Sequence, residues 1–334
     1  MEHSYCRMIR RGYHKMTGVS EIMDKNRIKG GLYGLLVGDA LGVPYEFYSA
    51  DRLPSFDEIE MSPPDGFKKT YPNVKAGTWS DDGAQALCLL DSLLENGRFS
   101  LTDFSRKLLA WYDTGLWAVD NDVFDIGVQT SEALNAFRKG IPPEMCGNIR
   151  PDGKGNGALM RVLPLALWHS GTDIELVSDA HRQCMITHAN ITNQVCCALY
   201  CLVARRLLEC MDFNAALTHS VRNIREIYAD MPDHHDEFEF RLQPDEPGIW
   251  QGSGSGYVID SLRSVFMIMR EACCYEDAVK RAVSLGNDTD TTACILGGLA
   301  GIAFGYDSIP ERWINALRQK DPVEMLLSEL LEIR

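Results

Sequence analysis

The chain has 334 residues, of which 45% are hydrophobic and 24% charged, and a formal net charge of -14. This is the composition of a globular protein with a sizeable core. An acidic surface of this size repels phosphate backbones and argues against stable nucleic-acid binding; no apolar run reaches the length of a membrane span, which argues against membrane insertion.

Residues 1–25 are basic in places but lack the apolar centre of a secretory signal, so they are expected to form a poorly ordered extension. The rest, 26–334, reads as one all-α, multi-helix domain. "RIKGGLYGLLVGDALGV" is an apolar run with small residues spaced for close packing. "SDDGAQALCLLDSLLENG" opens on capping residues, repeats apolar positions at three and four, and stops at Asn96–Gly97. "SLTDFSRKLLAWYDTG" has Ser100 to start it and Gly115 to end it. Three more helical patterns follow between Thr172 and Met231, and four between Val258 and Ile333. Four stretches read as irregular: 46–76, 119–125, 142–156 and 232–256. The last contains "DHHDEFEF", whose paired histidines fit a solvated surface better than a metal site. Eleven cysteines without metal or CxxC spacing, and no export signal, point to reduced structural thiols and a cytoplasmic location.

Two clusters of hard oxygen donors stand out. Ser80, Asp81 and Asp82 begin one apolar helix, and Asp288, Asp290 and Thr291 begin another. Neighbouring helical residues point about 100° apart, so paired acids can face two cations, or a cation and a water. An all-oxygen set suits Mg²⁺, Mn²⁺ or Ca²⁺ and disfavours zinc or copper. Capping alone accounts for either cluster taken singly; both together, each feeding a Gly/Ala-rich helix, ask for more.

"GLLVGDALGVPYEF", "GTWSDDGAQALCLLDSLLE", "GNGALMRVLPLAL", "ITHAN", "SGYVIDSLRSVF" and "LGNDTDTTACILGGLAGIAFG", in that order, resemble the ADP-ribosylglycohydrolase family. The resemblance implies an all-α domain with two divalent cations, Mg²⁺ or Mn²⁺, at the base of a cleft for ADP-ribose. Ser80, Asp81 and Asp82 match the first metal motif, with serine where the family usually has threonine. Asp288, Asp290 and Thr291 match the second. Glu46 matches an acid over the metal centre, and with Asp81 and Asp82 it forms the set from which a general acid or base would come. His188 matches a residue near the distal ribose.

Gly155, Asn156 and Gly157 are expected to bring backbone N–H groups and a helix N-terminus to an anion. The segment around Gly115 is expected to supply further amides to a diphosphate. Trp117 and Phe124 are candidates to stack on adenine, with core packing as the alternative. Gly252, Gly254 and Gly256 suggest a mobile rim loop, and Asp152 and Lys154 are expected to be solvated. The implied activity is removal of ADP-ribose from a modified protein, with arginine as the leading acceptor because an acidic surface suits a guanidinium. Serine-linked, nucleic-acid-linked and O-acyl ADP-ribose, and a non-catalytic ADP-ribose-binding or immunity protein, are the alternatives.

Overall fold

The computed structural model describes residues 24–334. The expected extension lies outside them except for residues 24 and 25, which are already helical. Helix α1 runs over 24–42. It is followed by α2 (Asp81–Asn96), α3 (Leu101–Thr114), α4 (Val128–Arg138), α5 (Leu163–Trp168), α6 (Asp173–Cys184), α7 (Ile191–Leu208) and α8 (Phe213–Tyr228). Then come α9 (Pro232–Glu237), α10 (Val258–Met269), α11 (Tyr275–Ser284), α12 (Thr289–Phe304), α13 (Glu311–Ala316) and α14 (Lys320–Ile333). Among the described residues there is no strand, only two isolated bridges, Ser49 with Gly286 and Gly155 with Tyr257. No helix among them is long and apolar enough to cross a membrane.

Helix α12 is the central rod. Every residue from Thr289 to Ile302 is buried, and α2, α7, α10 and α11 pack around it. A helix apolar on all sides must be enclosed by other elements, which is why its first turn, with Asp290, ends up inside the molecule.

Helix α1 lies against α12 along a row of glycines four residues apart. A β-carbon on Gly30, Gly34 or Gly38 would stand 2.1, 2.2 and 2.0 Å from the carbonyl oxygens of Gly301, Gly297 and Ala293. At Gly42 it would stand 2.4 Å from the Asp290 α-carbon. Positions four apart share one helix face, so the row lets two backbones touch along their length. Its last member delivers the end of α1 to the start of α12.

The capping signals in the sequence are used. Ser80, Ser100, Thr172, Asn190 and Asp212 accept backbone N–H bonds at the starts of α2, α3, α6, α7 and α8. Gly97 and Gly115 close α2 and α3 with φ of 60° and 73°.

The segment 232–256 departs from expectation: "DHHDEFEF" is helical, in α9 and the π-turn Phe238–Leu242 that follows. His234 is half-buried, stacked on His181 with ring centroids 4.7 Å apart and bonded to Gln194. Pro232 at the first helical position starts this piece, a signal the surrounding charges hid. All ten cysteines among the described residues are free, and Cys88, Cys184, Cys196, Cys197, Cys201 and Cys294 are buried.

Candidate active site

The first turns of α2 and α12 meet. Ser80 sits at the start of α2, accepting the Asp82 amide at 3.3 Å, and Asp81 and Asp82 follow it in the first turn, both buried. The Thr291 hydroxyl lies 3.4 Å from Asp82 Oδ1, joining residues 209 positions apart in the chain. Asp288 precedes α12 with no side-chain capping bond; Asn156 instead donates to its Oδ2 at 2.8 Å and to Ser261 at 3.0 Å.

These groups open onto a cleft of about 700 Å³ lined by Glu46, Asp81, Asp82, Asp125, residues 126–130, Gly155, Asn156, Gly157, His188, Asp288 and Thr291. One hollow elsewhere on the surface is larger, at about 820 Å³, and others are smaller, but none of them is lined by these acids. The cleft is of a size that encloses a small ligand.

Two further acids belong to the site and escaped the sequence reading. Asp39, fully buried in α1, accepts the Ser80 amide at 2.9 and 3.1 Å and the Gly83 amide at 2.7 Å. It caps α2 from another helix and fixes where Asp81 and Asp82 stand. A lone charge in the otherwise uncharged stretch 30–42 of α1 was the signal available. Asp125 stands at φ of 56°, a conformation rare outside glycine. Its Oδ1 lies 2.7 Å from the Tyr71 hydroxyl, which is also 2.8 Å from Glu46 Oε2. A phenol has one proton, so both contacts require a second, carried by one of the carboxyls.

Crowding and burial push the acids toward their neutral forms. Burial, then the charge of Asp125, raises Glu46 to about 9, and burial raises Asp39 to about 7 against the pull of its amide donors. Asp81, Asp82 and Asp290 are raised strongly by burial and then by one another and their acidic neighbours. Asp288 is also raised, burial leading. His188 goes the other way: burial, then the Arg161 charge, lowers it to about 3, so its ring is neutral.

Divalent cations fit this donor set. Asp82 Oδ2 and Asp290 Oδ2 are buried and make no hydrogen bond, an arrangement native proteins avoid unless another group takes the oxygen. Ligand oxygens of Glu46, Asp288 and Asp290 lie within 4.8 Å of one another. Those of Asp39 and Asp82 cluster equally closely with the Cys294 sulfur, but Asp39 is occupied with amides and a thiol is a poor partner for a hard cation.

Other expected roles take different physical form. The Gly155 amide donates to Gln129 at 3.1 Å and the Asn156 amide to Gly256 at 3.1 Å, and α5 begins only at Leu163. Neither those amides nor a helix N-terminus face an anion there. Gly157 instead makes room for His188, whose ring would stand 2.7 Å from a β-carbon there, and Gly155 makes room for Gln129, which would stand 2.9 Å from one.

Gly115 is outside the cleft, its amide bonded to Trp111 at the end of α3; the stretch 125–130 lines the cleft instead. Trp117 donates to Asp91 at 2.9 Å, and Phe124 packs on Tyr71 with centroids 5.0 Å apart; neither lines the cleft. Asp152 is exposed as expected, whereas Lys154 is largely covered and 3.6 Å from Glu237. In the glycine-rich loop, Ser255 and Gly256 line the cleft. The loop is firmly tied: the Ser253 and Ser255 amides bond to Asp260, and the Gly254 carbonyl receives the Asp288 amide at 2.9 Å.

Residues 20–334 match the family model for ADP-ribosylglycohydrolase. The chain is 29% identical over 313 residues to the ADP-ribosylarginine hydrolase Tri1 of Serratia proteamaculans (strain 568), covering 93% of this chain and 80% of that one. It is 27% identical over 310 residues to the ADP-ribosyl-[dinitrogen reductase] glycohydrolase of Rhodospirillum rubrum, covering 91% and 94%. Among solved structures it resembles an ADP-ribosylglycohydrolase-related protein complex, with a TM-score of 0.71 at 29% identity over 93% of this chain and 98% of the other.

Proposed function

The chain belongs to the ADP-ribosylglycohydrolase family, and we propose that it is a cytoplasmic, metal-dependent hydrolase that removes ADP-ribose from arginine side chains of modified proteins. The observation that carries this reading is the meeting of Asp82 with Thr291 beneath the cleft, which gathers two remote acid clusters under a space suited to a nucleotide-sugar. Arginine is preferred as acceptor because relatives at 29% and 30% identity are named ADP-ribosylarginine hydrolases and the cleft walls are acidic.

Ser80, Asp81, Asp82, Asp288, Asp290 and Thr291 would hold two divalent cations, Mg²⁺ or Mn²⁺. Bound there, the cations would neutralise the converged carboxylates, orient ribose hydroxyls and bring the pKa of water toward neutrality.

The chain's own groups do the rest. Hydrolysis breaks the bond from C1 of the distal ribose to the acceptor nitrogen; a water oxygen joins C1, the water loses a proton and the departing nitrogen gains one. The transition state builds positive charge on the sugar, which the acidic walls favour. Glu46, joined through Tyr71 to Asp125, is placed to take or return a proton, with Asp81 and Asp82 as the other carboxylates within the cleft. Asn156, itself anchored on Ser261, holds Asp288 in place. Gly155, Gly157 and His188 form the wall against which the ribose would lie.

A panel of arginine-, serine- and nucleic-acid-linked ADP-ribose substrates, with O-acyl ADP-ribose, run with Mg²⁺ and with Mn²⁺, tests the reading. Release of ADP-ribose from the arginine-linked member is expected. Saturable ADP-ribose binding without release from any member would identify a binding protein instead.

A further inference from the structure

Arg161 is fully buried beside the cleft, yet its hydrogen bonds go to uncharged partners. Nη1 donates to Gln85 Oε1 at 2.7 Å, Nε to Gln183 Oε1 at 3.2 Å, and Nη2 to Thr187 Oγ1 at 2.7 Å and the Gln183 carbonyl at 3.2 Å. A buried charge of this kind is costly, and apolar residues of similar volume often replace one without loss of stability. Core packing alone therefore gives no reason for an arginine here.

A guanidinium only donates, so each oxygen it meets must accept; this fixes the Gln85 amide, and it leaves Thr187 Oγ1, whose other hydrogen-bond contact is His188 Nδ1, with that nitrogen as the acceptor for its own proton. Gln85 turns its carbonyl to Arg161 and therefore its amide to Asp81, donating to Oδ2 at 2.8 Å. Asp81 is thereby held by one oxygen, with the other left for the cleft. Thr187 accepts from Arg161 and sends its own proton to His188 Nδ1, 2.8 Å away. With Nδ1 accepting, the ring proton sits on Nε2. That nitrogen faces the glycine wall, where β-carbons at Gly157 and Gly155 would lie 3.1 and 3.5 Å from it.

We infer that Arg161 is a positioning residue that sets the hydrogen-bond polarity of both walls of the cleft, orienting Asp81 through Gln85 and holding His188, through Thr187, as the tautomer with its proton on Nε2. His188 then presents an N–H donor to an oxygen of the ligand, a ribose hydroxyl or a phosphate oxygen. The ligand's identity rests on the function proposed above; the relay itself does not.

The test is long-range ¹⁵N–¹H NMR of protein labelled at the histidine ring nitrogens, at neutral pH, alongside calorimetry with ADP-ribose as the probe. Wild-type His188 is expected to show a protonated Nε2 and a bare Nδ1. Thr187→Val and Arg161→Met are expected to convert this to a mixture of tautomers, whereas Thr187→Ser and Gln85→Met preserve it. In calorimetry Thr187→Val is expected to weaken ADP-ribose about fivefold or more, as for one lost hydrogen bond, with Thr187→Ser within about twofold of wild type. A proton on Nδ1 in the wild type, or an unchanged tautomer in Thr187→Val, overturns the relay, and the threonine variants decide it even where Arg161→Met does not fold. Failure of wild-type protein to bind ADP-ribose overturns the functional reading, while the NMR result still decides the relay.

Discussion

Asp290 is buried with one carboxylate oxygen unpartnered and raised in pKa by burial and by Glu46 and Asp125. Asp290→Asn removes that repulsion without changing shape. In EDTA the variant is expected to be at least as stable as wild type, by up to about 1–2 kcal/mol in denaturant titrations. With Mg²⁺ added the order should reverse, because only wild type gains from the ion. Equal stabilisation of both by Mg²⁺ would remove Asp290 from the ligand set.

The same electrostatics give a pH signature. Asp39, at about 7, and Glu46, at about 9, bind protons more tightly in the folded chain than at their ordinary 3.8 and 4.5. The folded state thus holds more protons between those limits, and metal-free stability should fall as pH rises from the ordinary carboxylate range to about 9. Unfolding in EDTA at several pH values checks the slope; a rise in stability over that range would contradict it. Which residues carried this was only partly legible. Asp81, Asp82, Asp288 and Asp290 announce themselves as acids at helix starts, but Asp39 acquires its meaning from Ser80 and Gly83, 41 and 44 residues away.

At the scale of elements, the glycine row of α1 determines where the acids sit. Gly38→Ala would drive a methyl to 2.0 Å from the Ala293 carbonyl, and relief requires α1 to move away from α12. Overpacking of this kind costs about 1–3 kcal/mol or more, and here the shift carries the adjacent Asp39 with it. Thermal unfolding should show the loss, and metal affinity should fall further than in Ser92→Ala, which removes a buried hydroxyl at the far end of α2.

The small-residue spacing in α1 and α12 was readable as close packing; that the two helices are each other's partner was not, since nothing local records it. Helix α4 also went unseen, because Gly127 opens it with no side-chain cap. The expectation that the Gly155 and Asn156 amides are free to meet an anion fails for the opposite reason. Gly155 and Asn156 look free in sequence, but distant residues take their N–H groups.

Across the whole molecule, the all-α architecture and a single hydrophobic core follow from the 3.6-residue periodicity that dominates the chain. The packing brings the starts of α2 and α12 together from distant parts of the sequence, and the segments at 46–47, 125–130 and 255–256 close the cleft around them. On the function proposed above, acceptor choice belongs to those segments and metal binding to the helix starts, so the two should separate by mutation. Phe47, exposed at the cleft mouth, is a rim position: Phe47→Ala should raise KM for a modified protein while leaving Mg²⁺ affinity by calorimetry unchanged. A matching loss of metal binding would mean that rim and metal site are not independent.

The central claim is that the acids beneath the cleft act through divalent ions on an ADP-ribosyl bond. Its most direct test is release of ADP-ribose from an arginine-modified protein by enzyme dialysed against EDTA, before and after Mg²⁺ or Mn²⁺ is restored. The account predicts turnover lost on dialysis, regained with either ion, and absent from Asp290→Asn under all conditions. Full turnover in excess EDTA would contradict it.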